Sequence, residues 1–235
     1  CGADELAETV ARAAGQPSPA LRSDTGVTPM AQRNRERALA LWRGSESAIG
    51  TLADQYLTAR GLPGLAASPA LRFRGDCPHP EHARLPALIA LVCDVAGAPA
   101  AVHRTYLTRD GCKATVEPAK ASLGPVWGGA IRLEAPANDR PLVIGEGIET
   151  SASASRLMGL PAWSAVNAGN MAEGLKLPPE ARRVVIAADP DVAGRTAARD
   201  AWLRWRTEGR TVQIATTDGD GDFNDLLRRR ESDHV

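Results

Sequence analysis

Through the second half of the chain, short apolar runs that stop at glycine, proline or an acidic residue alternate with stretches of helical spacing. Arg140 to Gly147 reads RPLVIGEG, in which Leu142, Val143 and Ile144 lead to Glu146 held between two glycines. An all-apolar run of this length between turn residues predicts a strand buried on both faces, and IETSASASRLMGL after it predicts a helix. RRVVIAADPDVAGRTAARDAWLRW, from Arg182 to Trp205, repeats the grammar with Asp189 and Asp191 at the end of the strand. Between the two units, PAWSAVN (161–167) predicts a strand and Asn170 to Leu175 a short helix. The helix over 192–208 turns Ala198, Trp202 and Trp205 inward and stops at Gly209, and TVQIATT supplies a fourth strand. Repeated strand–helix units predict an α/β fold with a mostly parallel sheet.

The first half has a different texture. Residues 1–14 read as a short amphipathic helix with Leu6 and Val10 one turn apart, followed by a Pro/Ser/Gly linker. Helices are predicted from Met30 to Trp42 and from Ser47 to Gly61, the second with Leu52, Tyr56 and Leu57 on one face and Gly61 as its stop. After the strand LRF and an irregular loop, LPALIALVCDV (85–95) and PAAVHRTYLT (99–108) predict a hairpin joined by AGAP. Alternation puts Val102, Arg104 and Tyr106 on one face and Ala101, His103 and Thr105 on the other. The predicted division is 1–40, an N-terminal helix and linker; 41–136, an α+β subdomain; and 137–232, the α/β part.

Open α/β sheets gather chemistry at the carboxyl ends of their strands, where Glu146, Asp189 and Asp191 are all predicted to lie. Strands that are neighbours run roughly 4.8 Å apart, close enough for these carboxylates to share one coordination sphere. Two like charges 4 Å apart repel by about 4 kcal/mol at an effective dielectric near 20, so the arrangement invites a counter-ion. Hard oxygen donors with room for water suit Mg2+ or Mn2+.

Gly145-Glu146-Gly147 at one strand end, with Asp189-Pro190-Asp191 and Ala193-Gly194 at another, resembles the Toprim domain of topoisomerases, primases and some nucleases. Upstream, TLADQYLTARGL followed by ALRF is similar to the start of the polymerase core of bacterial replicative primases. These resemblances imply a Toprim domain, a mostly parallel four-stranded sheet flanked by helices, preceded by a smaller α+β primase-like subdomain. They imply Glu146, Asp189 and Asp191 as catalytic and metal-binding residues, with Glu146 either ordering the metal or acting as general base. Further metal-binding acids are implied in DGDGDFND, where the choice among Asp220, Asp222 and Asp225 stays open. Arg104, Lys113 and Lys120 are the implied contacts to nucleotide or template, while His103 reads as structural. Glu149 stands where many primases have aspartate; it either reaches metal or nucleotide or stabilises its helix N-terminus. EGIET and DFND resemble shortened Toprim primases of phages, plasmids and mobile elements. Primases often carry a zinc ribbon before the catalytic part, and Cys1-Gly2 resembles the last cysteine of one.

The bulk numbers narrow this only a little. With 28 basic and 28 acidic residues the net charge is zero, which counts against tight autonomous nucleic-acid binding without excluding it. Four cysteines without paired spacing, and no leader sequence, lead to the expectation of a cytoplasmic protein, and no apolar run is long enough to span a membrane. CPHPEH (77–82) lacks a second ligand pair at ribbon spacing and reads as a polar loop. Asp218, Asp220 and Asp222 alternate as in a calcium loop, but Phe223 and Arg229 occupy the positions that need Gly and Glu. The resemblance therefore implies a primase that makes short RNA on a single-stranded DNA template from nucleoside triphosphates, with a replicative helicase as a further partner. The alternatives are a Toprim nuclease acting on DNA and a non-catalytic single-stranded-DNA-binding module.

Overall fold

The computed structural model describes residues 28–82, 84–136, 140–217 and 221–232. The expectations for residues 1–14, Cys1 and Asp220 fall outside that set.

Helix α1 (Pro29–Arg43) starts where Thr28 Oγ1 accepts a hydrogen bond from Ala31 N at 3.2 Å and Pro29 supplies a preset first turn. It crosses the expected boundary at residue 40 and packs on the strand Pro99–Tyr106, so the first unit begins before residue 41. The helix expected from Ser47 starts later. Glu46–Ser47 instead form a short strand, β1, paired with β2 (Leu71–Pro78), and α2 (Leu52–Ala59) begins where Thr51 caps Ala53 N. The hairpin is β3 (Arg84–Cys93) and β4 (Pro99–Tyr106), turning at Asp94–Ala98. Two further strands, β5 (Lys120–Leu123) and β6 (Ala130–Arg132), come from a stretch for which the pattern predicted no strand.

The second half follows the predicted order: β7 (Leu142–Gly145), α3 (Ile148–Met158), β8 (Ala162–Ser164), a π-helical turn (Asn170–Gly174), β9 (Arg183–Ala187), α4 (Val192–Thr207) and β10 (Thr211–Ala215). Helix α5 (Phe223–Ser232) closes the described chain. Strands β8-β7-β9-β10 are parallel throughout. Strand β6 joins them to the antiparallel first half, pairing with β3 on one side and β8 on the other, so all ten strands form one sheet.

Both faces of the parallel part are covered, which explains its all-apolar strands. Leu142, Ile144, Val184 and Ile186 pack with Trp163, Ala198 and Trp205 on the α4 side. Val143, Val185 and Ala187 pack with Ala154 and Phe223 on the α3 and α5 side. A third cluster runs from α2 (Tyr56, Leu57) through Leu88 and Ala90 to Ile148 and Ala152 of α3, and thereby joins the two halves.

Candidate active site

The turn after β7 is built by close approach. A Cβ on Gly145 would lie 2.7 Å from Ser151 Oγ, so only glycine lets the first turn of α3 sit against the strand end. Glu146 is thereby held at the sheet edge, its carbonyl oxygen accepting from Ser164 Oγ at 2.9 Å. At the β9 end, a Cβ on Gly194 would lie 2.8 Å from Asp189 Cβ, so this glycine admits α4 to the strand tip. Thr150 Oγ1 donates to Asp189 Oδ1 at 2.9 Å, tying the helix after Glu146 to the strand end that carries Asp189.

Each acid feels the others. Burial raises the pKa of Glu146, and the charges of Asp189 and then Asp191 raise it further against a backbone hydrogen bond from Ala168. Asp189 is raised by burial first; the Thr150 hydrogen bond opposes this, and Asp222 and Asp191 add to it. Glu146, Asp189 and Asp222 line one cavity of about 540 Å3. Asp191 does not line it: exposed, it caps α4 through Oδ1, which accepts from Gly194 N at 2.6 Å.

Asp222 and Asp225 are separated by the same geometry. Asp222 Oδ1 accepts from Asp225 N at 2.8 Å and Asp222 N donates to Asp225 Oδ2 at 3.3 Å, a reciprocal capping pair at the start of α5. Asp222 lines the cavity while Asp225, though it touches Asp222, is exposed and absent from the lining shared with Glu146 and Asp189. Asn224 between them is buried and donates to Arg60 O at 2.5 Å and Ser153 Oγ at 3.0 Å, fastening α5 to α2 and α3.

Arg60, Lys113, Lys120 and Arg228 form the basic wall of the same cavity. Lys113 and Lys120, the implied nucleotide or template contacts, both line it. Arg104 does not: its guanidinium is buried on the opposite face of β4, donating to the carbonyls of Pro78, Ala121 and Ser122. Alternation assigned its face correctly, but the cavity lies on the other one, with His103. That imidazole, expected to be structural, lines the cavity with Nδ1 3.0 Å from Ser122 Oγ, and burial followed by the Lys120 charge pushes its pKa down to about 4. Arg60 and Arg228 went unrecognised because single arginines carry no signal in an arginine-rich chain. Glu149 is buried beneath the basic wall, accepting from Tyr56 and Lys120.

Among the described residues, no group of three or more Asp, Glu, His or Cys side chains is drawn close enough together to hold a metal ion by itself. The carboxyl oxygens of Glu146, Asp189 and Asp222 in one open cavity are hard donors of the kind that suits a cation keeping most of its water, as Mg2+ does. The CPHPEH loop offers no zinc site. His79 Nδ1 accepts from Glu81 N and His82 N, its Nε2 meets Pro118 O at 3.0 Å, and burial raises the Cys77 thiol to about 11. Both tyrosines are buried with committed hydroxyls, Tyr56 to Glu149 and Tyr106 to Pro78 O, which disfavours a cleaving-tyrosine topoisomerase.

Residues 141–233 match the Toprim domain family model, and residues 32–133 match a domain of unknown function, DUF7146. The chain carries a Toprim domain on a primase-core fold. The fold is similar to that of the DnaG primase catalytic domain bound to ssDNA, at 17% identity and TM-score 0.57, over 86% of this chain and 79% of that one. It is likewise similar to the primase fragment of the bacteriophage T7 primase-helicase protein (14%, TM-score 0.52, 90% and 81% covered). A third likeness is to the RNA polymerase domain of Mycobacterium tuberculosis primase DnaG (17%, TM-score 0.54, 84% and 82% covered). No curated protein matches the sequence. Within the Toprim match Glu146 and Asp189 lie at the carboxyl ends of β7 and β9, with Asp222 just before α5 and Arg228 in it, while residues 32–133 contribute Arg60, Lys113 and Lys120 to the basic wall. Among the described residues no helix is long and apolar enough to cross a membrane.

Proposed function

We propose that this chain is a primase-type nucleotidyltransferase core that makes short RNA on single-stranded DNA. The observation that carries the reading is one cavity lined both by the acids Glu146, Asp189 and Asp222 and by the cations Arg60, Lys113, Lys120 and Arg228. A nucleoside triphosphate needs that polarity, with cations for its phosphates and acids for the reacting end. Glu146, Asp189 and Asp222 would hold Mg2+ or Mn2+, and Asp191 would support it from the rim. A bound divalent ion neutralises charge on the α-phosphate and lowers the pKa of the attacking hydroxyl.

The chain's own groups do the rest. Lys113 and Lys120 bind phosphate oxygens and orient the α-phosphate toward the acidic edge. Arg228 and Arg60 close the cavity from α5 and α2. Glu146, at the end of β7, is placed to order that ion beside Asp189. His103, held below its ordinary pKa, offers a hydrogen-bonding ring rather than a further positive charge. A net charge of zero is compatible with weak template affinity, in which a separate helicase would hold the strand.

The test is to incubate the chain with single-stranded template, four ribonucleotides and Mg2+ or Mn2+, and to resolve the products beside an Asp189→Ala control. Short RNA made by the unmodified chain alone supports the reading. Template shortening indicates a Toprim nuclease, and binding without chemistry indicates a non-catalytic module; either result overturns it.

A further inference from the structure

Glu149 sits in the first turn of α3, three residues past Glu146, yet its carboxylate is tied to Tyr56 and Lys120 rather than to the other acids. It is 7% exposed. Tyr56 donates its hydroxyl hydrogen to Oε1 at 2.6 Å, and Lys120 Nζ donates to Oε1 at 3.2 Å and Oε2 at 3.0 Å. The three groups come from α2, β5 and α3, so the contact spans both halves of the chain. An ammonium has three donors. Two of Lys120's are directed at Glu149, and among the described residues it has no other partner, which leaves the third for the cavity whose wall it forms.

A lysine on a flexible four-carbon stem is a poor positioning device unless something restrains it. Here a buried carboxylate held by a tyrosine in a packed helix does so. We propose that Glu149, fixed by Tyr56, is a positioning residue that holds the Lys120 ammonium at the cavity wall, ready to take a phosphate oxygen of a bound nucleoside triphosphate. This rests on the nucleotidyl-transfer reading for its ligand, though not for its geometry. It separates Glu149 from the acids of the Toprim edge: its partner is a cation of the other half.

Two measurements on the full chain test it. Lysine acylation followed by mass spectrometry reports on the ammonium itself, with exposed Lys113 as internal reference. Lys120 labels slowly in the unmodified protein and about fivefold faster, relative to Lys113, once Glu149→Gln removes its partner. Tyr56→Phe, which takes one oxygen from a packed ring, gives a smaller rise and carries the test where Glu149→Gln unfolds the chain. Labelling of Lys120 unchanged in the folded variant overturns the proposal.

The second measurement is ATP–Mg2+ binding. Glu149→Gln weakens it about tenfold in the native background and has no further effect when Lys120→Ala is already present. An equal loss in both backgrounds means Glu149 acts by stabilising the fold, and overturns positioning. If the unmodified chain binds no nucleoside triphosphate, the nucleotidyl-transfer reading fails, whereas the labelling result still decides the geometry.

Discussion

Thr150 Oγ1 lies 2.9 Å from Asp189 Oδ1 and is the direct link between the helix that follows Glu146 and the strand end that bears Asp189. The bond favours the ionised carboxylate of Asp189 and opposes the burial that raises its pKa. Thr150→Val keeps the shape and removes the donor. Stability should fall by about 1 kcal/mol, while RNA synthesis falls roughly tenfold through loss of orientation at Asp189. Denaturant unfolding and primer yield check the two effects separately.

Glu149 predicts a pH signature of its own. Burial alone would raise its pKa, but the Lys120 charge and then the Tyr56 hydrogen bond overcome that and hold it at about 2, from an ordinary 4.5. A depressed carboxyl stabilises the fold above its unfolded pKa and loses that contribution as pH falls. The window here runs from about 4.5 down to about 2, and the amount is roughly 3 kcal/mol. Glu149→Gln should therefore be less stable at neutral pH by an amount of that order, with a flatter acid limb in urea titrations at successive pH values.

Glu146 and Asp189 carry the opposite sign. Their raised pKa values mean that ionisation weakens the fold, so their cost appears as pH rises through the folded pKa. A divalent cation relieves it. Melting temperature should rise on adding Mg2+ at neutral pH, and the rise should shrink as pH falls and these carboxylates take up protons. Asp189→Asn should melt higher than the native chain without cation and lose most of the response to it.

Asn224 is fully buried between Arg60 O and Ser153 Oγ, and with it α5 positions Asp222 and Arg228 at the cavity. Asn224→Ala removes both bonds and leaves buried acceptors behind, at about 1–3 kcal/mol. Hydrogen exchange should quicken selectively in α5, which a general loss of stability would not produce.

The parallel strands and their acids were legible because an all-apolar run that stops at an acidic turn has few other readings. Local capping was only half legible: DFND shows that a helix starts, but Asp222 and Asp225 are equivalent until the helix axis turns one to the cavity and the other to solvent. Strands β5 and β6 stayed hidden because each is four residues or fewer and is held by its neighbours rather than by its own pattern. Arg104 and His103 show the limit of periodicity, which sorts side chains into two faces without saying which face meets the site. The Tyr56–Glu149–Lys120 contact joins residues 93 and 29 positions apart, a pairing that spacing cannot express.

Everything in the proposed chemistry depends on Glu146, Asp189 and Asp222 acting on one ion. Mn2+ titration followed by electron paramagnetic resonance tests this on the protein itself, with Asp225→Asn as a control whose carboxylate lies outside the cavity. A single bound ion is expected, weakened about tenfold or more by Glu146→Gln and by Asp189→Asn and unaffected by Asp225→Asn. Mn2+ affinity unchanged in both Glu146→Gln and Asp189→Asn would contradict a shared site.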